Sequence, residues 1–345
     1  MAITTSVSRS SLSDTILKLP HPSLNEYSVE KIVPATNAFS SAPLFRINLR
    51  SKLAKQAVLP ELHSSELHFS EPIDLKSSEL PAQSNNSAWA RARRSPCVTV
   101  TWQGLGGGAE PPTIAQAWLL LYLLFTTRPS METVRIELHG KCALVLAQQM
   151  RDVLLAVGHA HQTRNKHLEN LNPDTATIVC PRSTFWQGAG SPFGSRPVWC
   201  PQESPASLAA SHSLIPFPLT PLYHTMTVSS AGDPQDPDRC QQAWHPIRPA
   251  KPAPGAIVYS RWIPHLGETF SMISLDWQDH QHLQLFHEWQ NDPRVSQGWN
   301  ETGTVEQHRE YLRKIHEDPH QLALLARWDD NFFAYFEVYW AKVSL

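Results

Sequence analysis

Apolar and polar positions change rhythm several times along the chain. Period-two alternation marks strands at "YSVEKIV" from Tyr27, at Pro43 to Arg50, at Cys97 to Gly104 and at Thr133 to Gly140. "IAQAWLLLYLLF", Ile114 to Phe125, is apolar on every side and follows Pro111 and Pro112, which suit the start of a helix. It is well short of the roughly 20 residues that cross a bilayer, so it reads as a buried helix. A second helix is expected over 142–160, where Leu144, Leu146, Met150, Val153, Leu154 and Val157 fall at helical spacing. The first part of the chain is therefore expected to be mixed α/β.

The last part is sharper. Phe270 to Asp276 alternates as a strand. Asp279 to Asp292 reads as a helix with Asp279 as its N-cap, Leu283, Phe286 and Trp289 on one face, and Pro293 as its end. Thr304 to Asp318 reads as another, opened by the T-x-x-Q box of Thr304 and Gln307. Gln321 to Asp329 and Asn331 to Lys342 read as two strands around a tight turn. Between the two parts, residues 181–255 are rich in Pro, Ser, Gly and Gln. The expected layout is an α/β domain over 1–225, a Pro-rich linker over 226–255 and a further domain over 256–345.

Composition narrows the classes. Pro is plentiful at 29 and Gly scarce at 14, so many connections should be stiff. Net charge is −2 and only 17% of residues are charged, which argues against a general nucleic-acid or membrane-surface binder. The one tight basic run, "RARRS" from Arg91, reads as a solvated loop. The five cysteines form no C-x-x-C pair, so neither a zinc site nor a disulfide framework is implied, and reduced intracellular thiols are the simplest reading. The N-terminus has no secretory-type apolar core; its Ser/Thr-rich, acid-poor text leaves a transit peptide as the alternative. "GLGGG" lacks dinucleotide-fingerprint spacing, and in "GSPFG" a proline follows Ser191, so neither carries chemistry.

Strand, helix, helix, strand, strand is how the GNAT acyl-CoA N-acyltransferases begin. The wording is more specific than the order. "FHEWQNDPRV", "GWNE" and "YFEVYWAK", within residues 259–342, resemble the siderophore branch of that superfamily. That branch includes the aerobactin hydroxylysine acetyltransferases, the mycobactin lysine acyltransferases and, most similar, the fungal hydroxyornithine transacylases. The resemblance implies an α/β (α+β) fold with two GNAT-like domains. It implies acyl transfer from acyl-CoA to the side-chain hydroxylamine of N5-hydroxyornithine or a lysine analogue, with no bound cofactor and no metal. It also implies that the CoA-binding half and the catalytic His and Asp follow "YWAK". The chain departs there as "AKVSL", so the resemblance puts that His and Asp beyond Leu345 and no catalytic residue is expected within the 345 residues. The second domain is expected to be incomplete and the activity impaired. A non-catalytic protein pairing with a full-length homologue through an open strand edge is the alternative. A cytosolic location is expected, with the peroxisome as alternative.

The resemblance points to an acceptor site in the loop between the two late helices and on the last strand. Trp299 and Asn300 lie in that loop, and His265 in "RWIPHL" is a further candidate. On the last strand, alternation puts Glu337 and Tyr339 on one face and Phe336, Val338 and Trp340 on the other. A charge on a central strand is costly unless paired, so Glu337 is expected either to hold the acceptor's cationic amine or to pair with Arg327. Asp292 and Arg294 read as a local pair, and His280, His282, His287, His308, His316 and His320 as surface residues.

Overall fold

A computed structural model describes residues 12–13, 15–32, 43–51, 61–102, 110–160, 172–193, 224–229, 241–246, 251–318 and 320–339; at 224–229 and 241–246 the description covers the backbone alone. The chain divides into two compact units, the first built on residues up to 194 and the second on residues from 218 onward.

The first unit contains strands β1 (Ile16–Lys18), β2 (Glu26–Ile32), β3 (Leu44–Ser51), β4 (His68–Ser70), β5 (Cys97–Thr101), β6 (Thr133–His139), β7 (Val157–Gly158) and β8 (Thr175–Pro181). Its helices are α1 (Ala88–Arg94), α2 (Ile114–Thr127), α3 (Ala143–Asp152) and α4 (Arg182–Trp186). The strands form one sheet in the order β1-β2-β3-β4-β5-β6-β8-β7. Only β5 and β6 run parallel, and parallel neighbours need a long crossover. The apolar helix α2 supplies it, its Leu119 to Phe125 almost wholly out of water. Thr113 and Gln116 form a capping box at its start.

Two expectations in this unit change. The basic run is not a loop but the body of α1, where Ser87 caps the start and Arg94 donates to the carbonyls of Ala82 and Asn85. The helix expected to reach 160 stops at Asp152, and the chain enters β7. Leu154 adopts a left-handed conformation (φ 63), which an α-helix cannot contain. Leu155 is then fully buried in close contact with Gly190, where any Cβ would collide with it.

The second unit contains β9 (His224–Ser229), β10 (Gln241–Pro246), β11 (Ile257–Ile263), β12 (Glu268–Ser274), β13 (Gln321–Trp328) and β14 (Asn331–Tyr339). Its helices are α5 (His280–Asn291), α6 (Pro293–Trp299) and α7 (Val305–Glu317). β9 and β10 pair as an antiparallel hairpin inside the stretch that reads as linker. The other four strands form an antiparallel sheet in chain order, and all three helices are inserted between its neighbours β12 and β13.

Beyond that hairpin, this unit has one strand and one helix more than the sequence pattern suggests. β11 precedes β12, and α6 occupies the expected loop. Pro293 does end α5, yet a proline is also favoured at the first position of a helix. Asp292 serves both helices, as the C-cap of α5 and as the N-cap of α6, where its side chain accepts from the Arg294 N–H at 2.8 Å. Asp292 and Arg294 form the expected local pair, and the guanidinium beside it holds the Asp292 carboxyl down at about 2.

One sheet face packs on the helices. Ala323 and Leu325 of β13 meet Leu283 and Phe286 of α5 and Leu312 and Ile315 of α7, with Tyr311 and Tyr335 against them. The opposite face gathers Leu322 and Leu324 with Val258, Met272 and Val338. Thr304 and Gln307 form the expected capping box on α7. At its other end Lys251 donates to the carbonyls of Ile315 (2.7 Å) and His316 (2.8 Å), which otherwise lack helical partners.

Phe286 is the hub of this core, 1% exposed and touching the rings of His308, Tyr311 and Tyr335. Phe286→Ala is expected to destabilise the second unit by about 3–5 kcal/mol, read as a lower urea midpoint for that unit's unfolding.

Candidate acceptor site

Glu337 stands on β14 opposite Ala323. Strand alternation sends Tyr335, Glu337 and Tyr339 to the helix-covered face. Tyr335 donates its hydroxyl hydrogen to Glu337 Oε1 at 2.7 Å, and Tyr311, reaching from α7, donates to the same oxygen at 2.8 Å. Tyr339 donates to Oε2. Three phenols thus surround one carboxylate. The expected rival partner, Arg327, instead faces Asp330 at 3.7 Å.

The electrostatic consequence falls on the phenols. Burial first, and the Glu337 carboxylate second, push the ionisation of Tyr311 and Tyr335 far upward. For exposed Tyr339 the hydrogen bond to Glu337 is the main cause, and its pKa is pushed up to about 12. A carboxylate offers about four lone-pair directions, so three phenols leave room for one further donor.

The segment after α6 is held by side chains of α5 and α7. Asn300 closes α6 in a left-handed conformation (φ 55), its N–H bonded to the Ser296 carbonyl. His308 Nε2 lies 2.9 Å from the Glu301 carbonyl oxygen. Asn291 grips Gly303 twice, donating to its carbonyl and accepting from its N–H, both at 3.1 Å. His308 and Tyr311 lie one turn apart on α7, so the same helix holds this loop and reaches Glu337. The Glu301 carboxylate also acts on the Tyr311 phenol.

The expected site residues divide. Glu337 and Tyr339 meet directly. Trp299, 73% exposed, and Asn300 sit at the end of α6, on the helix layer that Glu337 faces. His265 is in the exposed turn between β11 and β12. Phe270 stands opposite Trp328, whereas Glu337 stands opposite Ala323, so that turn lies at the other end of the sheet, on the order of 20 Å away. His265 therefore does not join the cluster. Trp340 lies outside the described residues, and so does Leu345, beyond which the resemblance puts the catalytic His and Asp.

Two histidines read as surface residues are buried. His282 is 8% exposed and its Nδ1 accepts from the Asp276 N–H; His308 is 5% exposed. The sequence reading also missed Tyr311, Tyr335 and Asn291. The Tyr335-x-Glu337-x-Tyr339 spacing carries a signal for two of the three phenols. No local pattern marks Tyr311, which arrives from a distant helix.

Residues 278–345 match the family profile described as an acetyltransferase (GNAT) domain. The chain is 62% identical to the N(5)-hydroxyornithine:cis-anhydromevalonyl coenzyme A-N(5)-transacylase of Beauveria bassiana, over 95% of this chain and 71% of that protein. The chain belongs to the siderophore-biosynthesis N-acyltransferases of the GNAT superfamily. It is 42% identical to a hydroxyornithine transacylase of Ajellomyces capsulatus, over 95% of this chain and 71% of that one. It is also 57% identical to a protein of Stachybotrys chartarum named as an O-acetyltransferase, over 95% and 70% of the two chains. In this family member the mixed α/β architecture agrees with the expected fold class, and no helix among the described residues is long and apolar enough to cross a membrane.

The phenol collar has a readable signature. Tyrosine ionises near 10 when unperturbed. Tyr339 is raised, so its neutral form is the one favoured in the fold. Its contribution is complete below about pH 10 and is lost as pH climbs through about 12. Difference titration at 295 nm between the native protein and Tyr339→Phe is expected to place this phenol near 12, and Glu337→Gln to move it back toward 10.

Proposed function

We propose that this chain takes an acyl group from acyl-CoA and places it on the side-chain hydroxylamine nitrogen of N5-hydroxyornithine, giving a hydroxamate. The observation that carries the reading is the 62% identity, across 95% of the chain, to a protein named for that transfer. In the reaction the nitrogen lone pair attacks the thioester carbonyl carbon. A C–N bond forms, the C–S bond breaks, and CoA leaves as the thiol once the proton shed by nitrogen is taken up. A hydroxylamine is a weak base and is largely unprotonated at neutral pH, so positioning and oxyanion stabilisation are the main demands.

In this reading Glu337 receives the acceptor's α-ammonium group. The collar of phenols fixes the carboxylate in place and leaves one of its lone-pair directions for that ligand. The loop carrying Trp299 and Asn300 borders the same site, and Asn300 meets the α-carboxylate. A second reading, acyl transfer to an oxygen, is favoured by the 57% identity to the protein named as an O-acetyltransferase.

The experiment offers the protein acetyl-CoA and anhydromevalonyl-CoA as donors and N5-hydroxyornithine as acceptor. Hydroxamate, seen as a coloured ferric complex, is the expected product. Glu337→Gln is expected to weaken acceptor binding by about tenfold or more, because a hydrogen bond to a charged group is lost. An O-acyl ester in place of hydroxamate would establish the second reading. Calorimetry showing no saturable binding of N5-hydroxyornithine would overturn the acceptor assignment.

A further inference from the structure

Leu283, Phe286 and Gln290 share the buried face of α5 at helical spacing, so an apolar stripe ends on an amide. Gln290 is 8% exposed, and its Oε1 is out of water with no hydrogen-bond partner among the described residues. A buried amide oxygen left unmet is costly, whereas an apolar side chain of similar shape in its place carries no such cost. The polar groups around it are met: His308 Nε2 lies 2.9 Å from the Glu301 carbonyl oxygen, and Tyr311 and Tyr335 donate to Glu337.

The place of Gln290 on the helix points to its donor. One turn earlier, about 6 Å along the axis, Phe286 packs on the rings of Tyr311 and Tyr335, the two phenols on Glu337 Oε1. The residue after Gln290 is Asn291, which holds Gly303 beyond Trp299 and Asn300. Gln290 therefore stands on α5 between the contacts to the carboxylate's collar and the contacts to the loop. An ammonium group carries three hydrogens. Glu337, with three phenols on it, has a lone-pair direction for one of them. A neutral amide oxygen can take a second without setting a like charge beside the carboxylate.

We propose that Gln290 is a specificity-determining residue for the acceptor: its Oε1 accepts a second hydrogen from the α-ammonium group held by Glu337, and so selects acceptors that carry a cationic amine. The proposal rests on the acceptor-site reading above. Turned over, the same amide would offer its NH2 and serve the α-carboxylate instead, an outcome that the test separates.

The test uses the full chain as wild type, Gln290→Met, Gln290→Leu and Glu337→Gln. In urea without ligand, the two apolar variants are expected to keep or raise the unfolding midpoint of the second unit, because an unmet oxygen is removed. A midpoint lowered in both would show that the amide is already satisfied inside the protein, as by a bound water, and would overturn the proposal.

Calorimetry and steady-state kinetics then compare N5-hydroxyornithine with two analogues. N-hydroxyputrescine keeps the amine and lacks the carboxylate; δ-(hydroxyamino)valerate keeps the carboxylate and lacks the α-amine. Gln290→Met is expected to raise Kd and KM about tenfold for N5-hydroxyornithine and N-hydroxyputrescine, with kcat changing less, and to leave δ-(hydroxyamino)valerate at its wild-type value. A loss confined to the two carboxylate-bearing acceptors would assign the amide to the carboxylate and overturn the proposal. So would a Gln290→Met that binds all three as wild type does while Glu337→Gln loses the two amines, and the acceptor-site reading would then stand without it. The expected loss in Gln290→Met with none in Glu337→Gln would uphold Gln290 and overturn the role given to Glu337. No saturable binding of N5-hydroxyornithine by wild type would overturn both.

Discussion

A carboxylate on a sheet, half out of water and with no cation beside it among the described residues, has to be met by neutral donors, and much of the second unit is arranged around that requirement at Glu337. Unmet, such a group costs several kcal/mol or takes up a proton. Here the donors come from three places: the same strand two residues before, the same strand two residues after, and a helix more than twenty positions earlier. The strand donors follow from alternation alone. The helix donor fixes how far along the sheet α7 sits, because a phenol has only one length. Phe286 lies between, stacked on Tyr311 and edge-on to Tyr335, so apolar packing and hydrogen bonding set the same separation. Among the described residues Glu337 makes no salt bridge, and its partners are the three phenols.

Much of this fold was legible because its signals are local. The capping box of Thr304 and Gln307, Asp279 at the head of α5 and the alternation of β13 and β14 each depend on neighbours within a few residues. Reading failed where one residue has two uses. Pro293 ends one helix and begins the next, and only the ending was evident from its restriction on the preceding residue. Leu154 belongs to the apolar rhythm of α3 but takes a left-handed turn, a choice made by the pocket that Leu155 fills.

The site was legible only in part, for the same reason. Alternation placed Glu337 and Tyr339 together, and the motif around Trp299 and Asn300 falls at the end of α6. Partners were another matter. Arg327 was a sensible candidate for Glu337 by charge, yet the register of β13 turns it toward Asp330 and Phe332. His265 lies in the β11–β12 turn, at the other end of the sheet from Glu337. His308 read as polar surface because the histidines crowd a charged stretch of sequence, whereas its helix turns it inward beside Leu312 and Ile315. Charge and residue type tell which groups need partners, and only topology tells which partners arrive.

The insertion of α5, α6 and α7 between two neighbouring strands also bears on how the unit is assembled. The pairs β11–β12 and β13–β14 each close across a short turn, and little chain entropy is lost in forming them. The seam between β12 and β13 instead joins Ser274 to Leu324 across three helices. Such a non-local contact is slow to form and is stabilised only once the enclosed helices have found the sheet. Glu337 belongs to one hairpin and Tyr311 to the inserted helices, so their bond spans that seam. The carboxylate and its three phenols are therefore brought together last, by the step that makes two hairpins and a helical insert into one sheet.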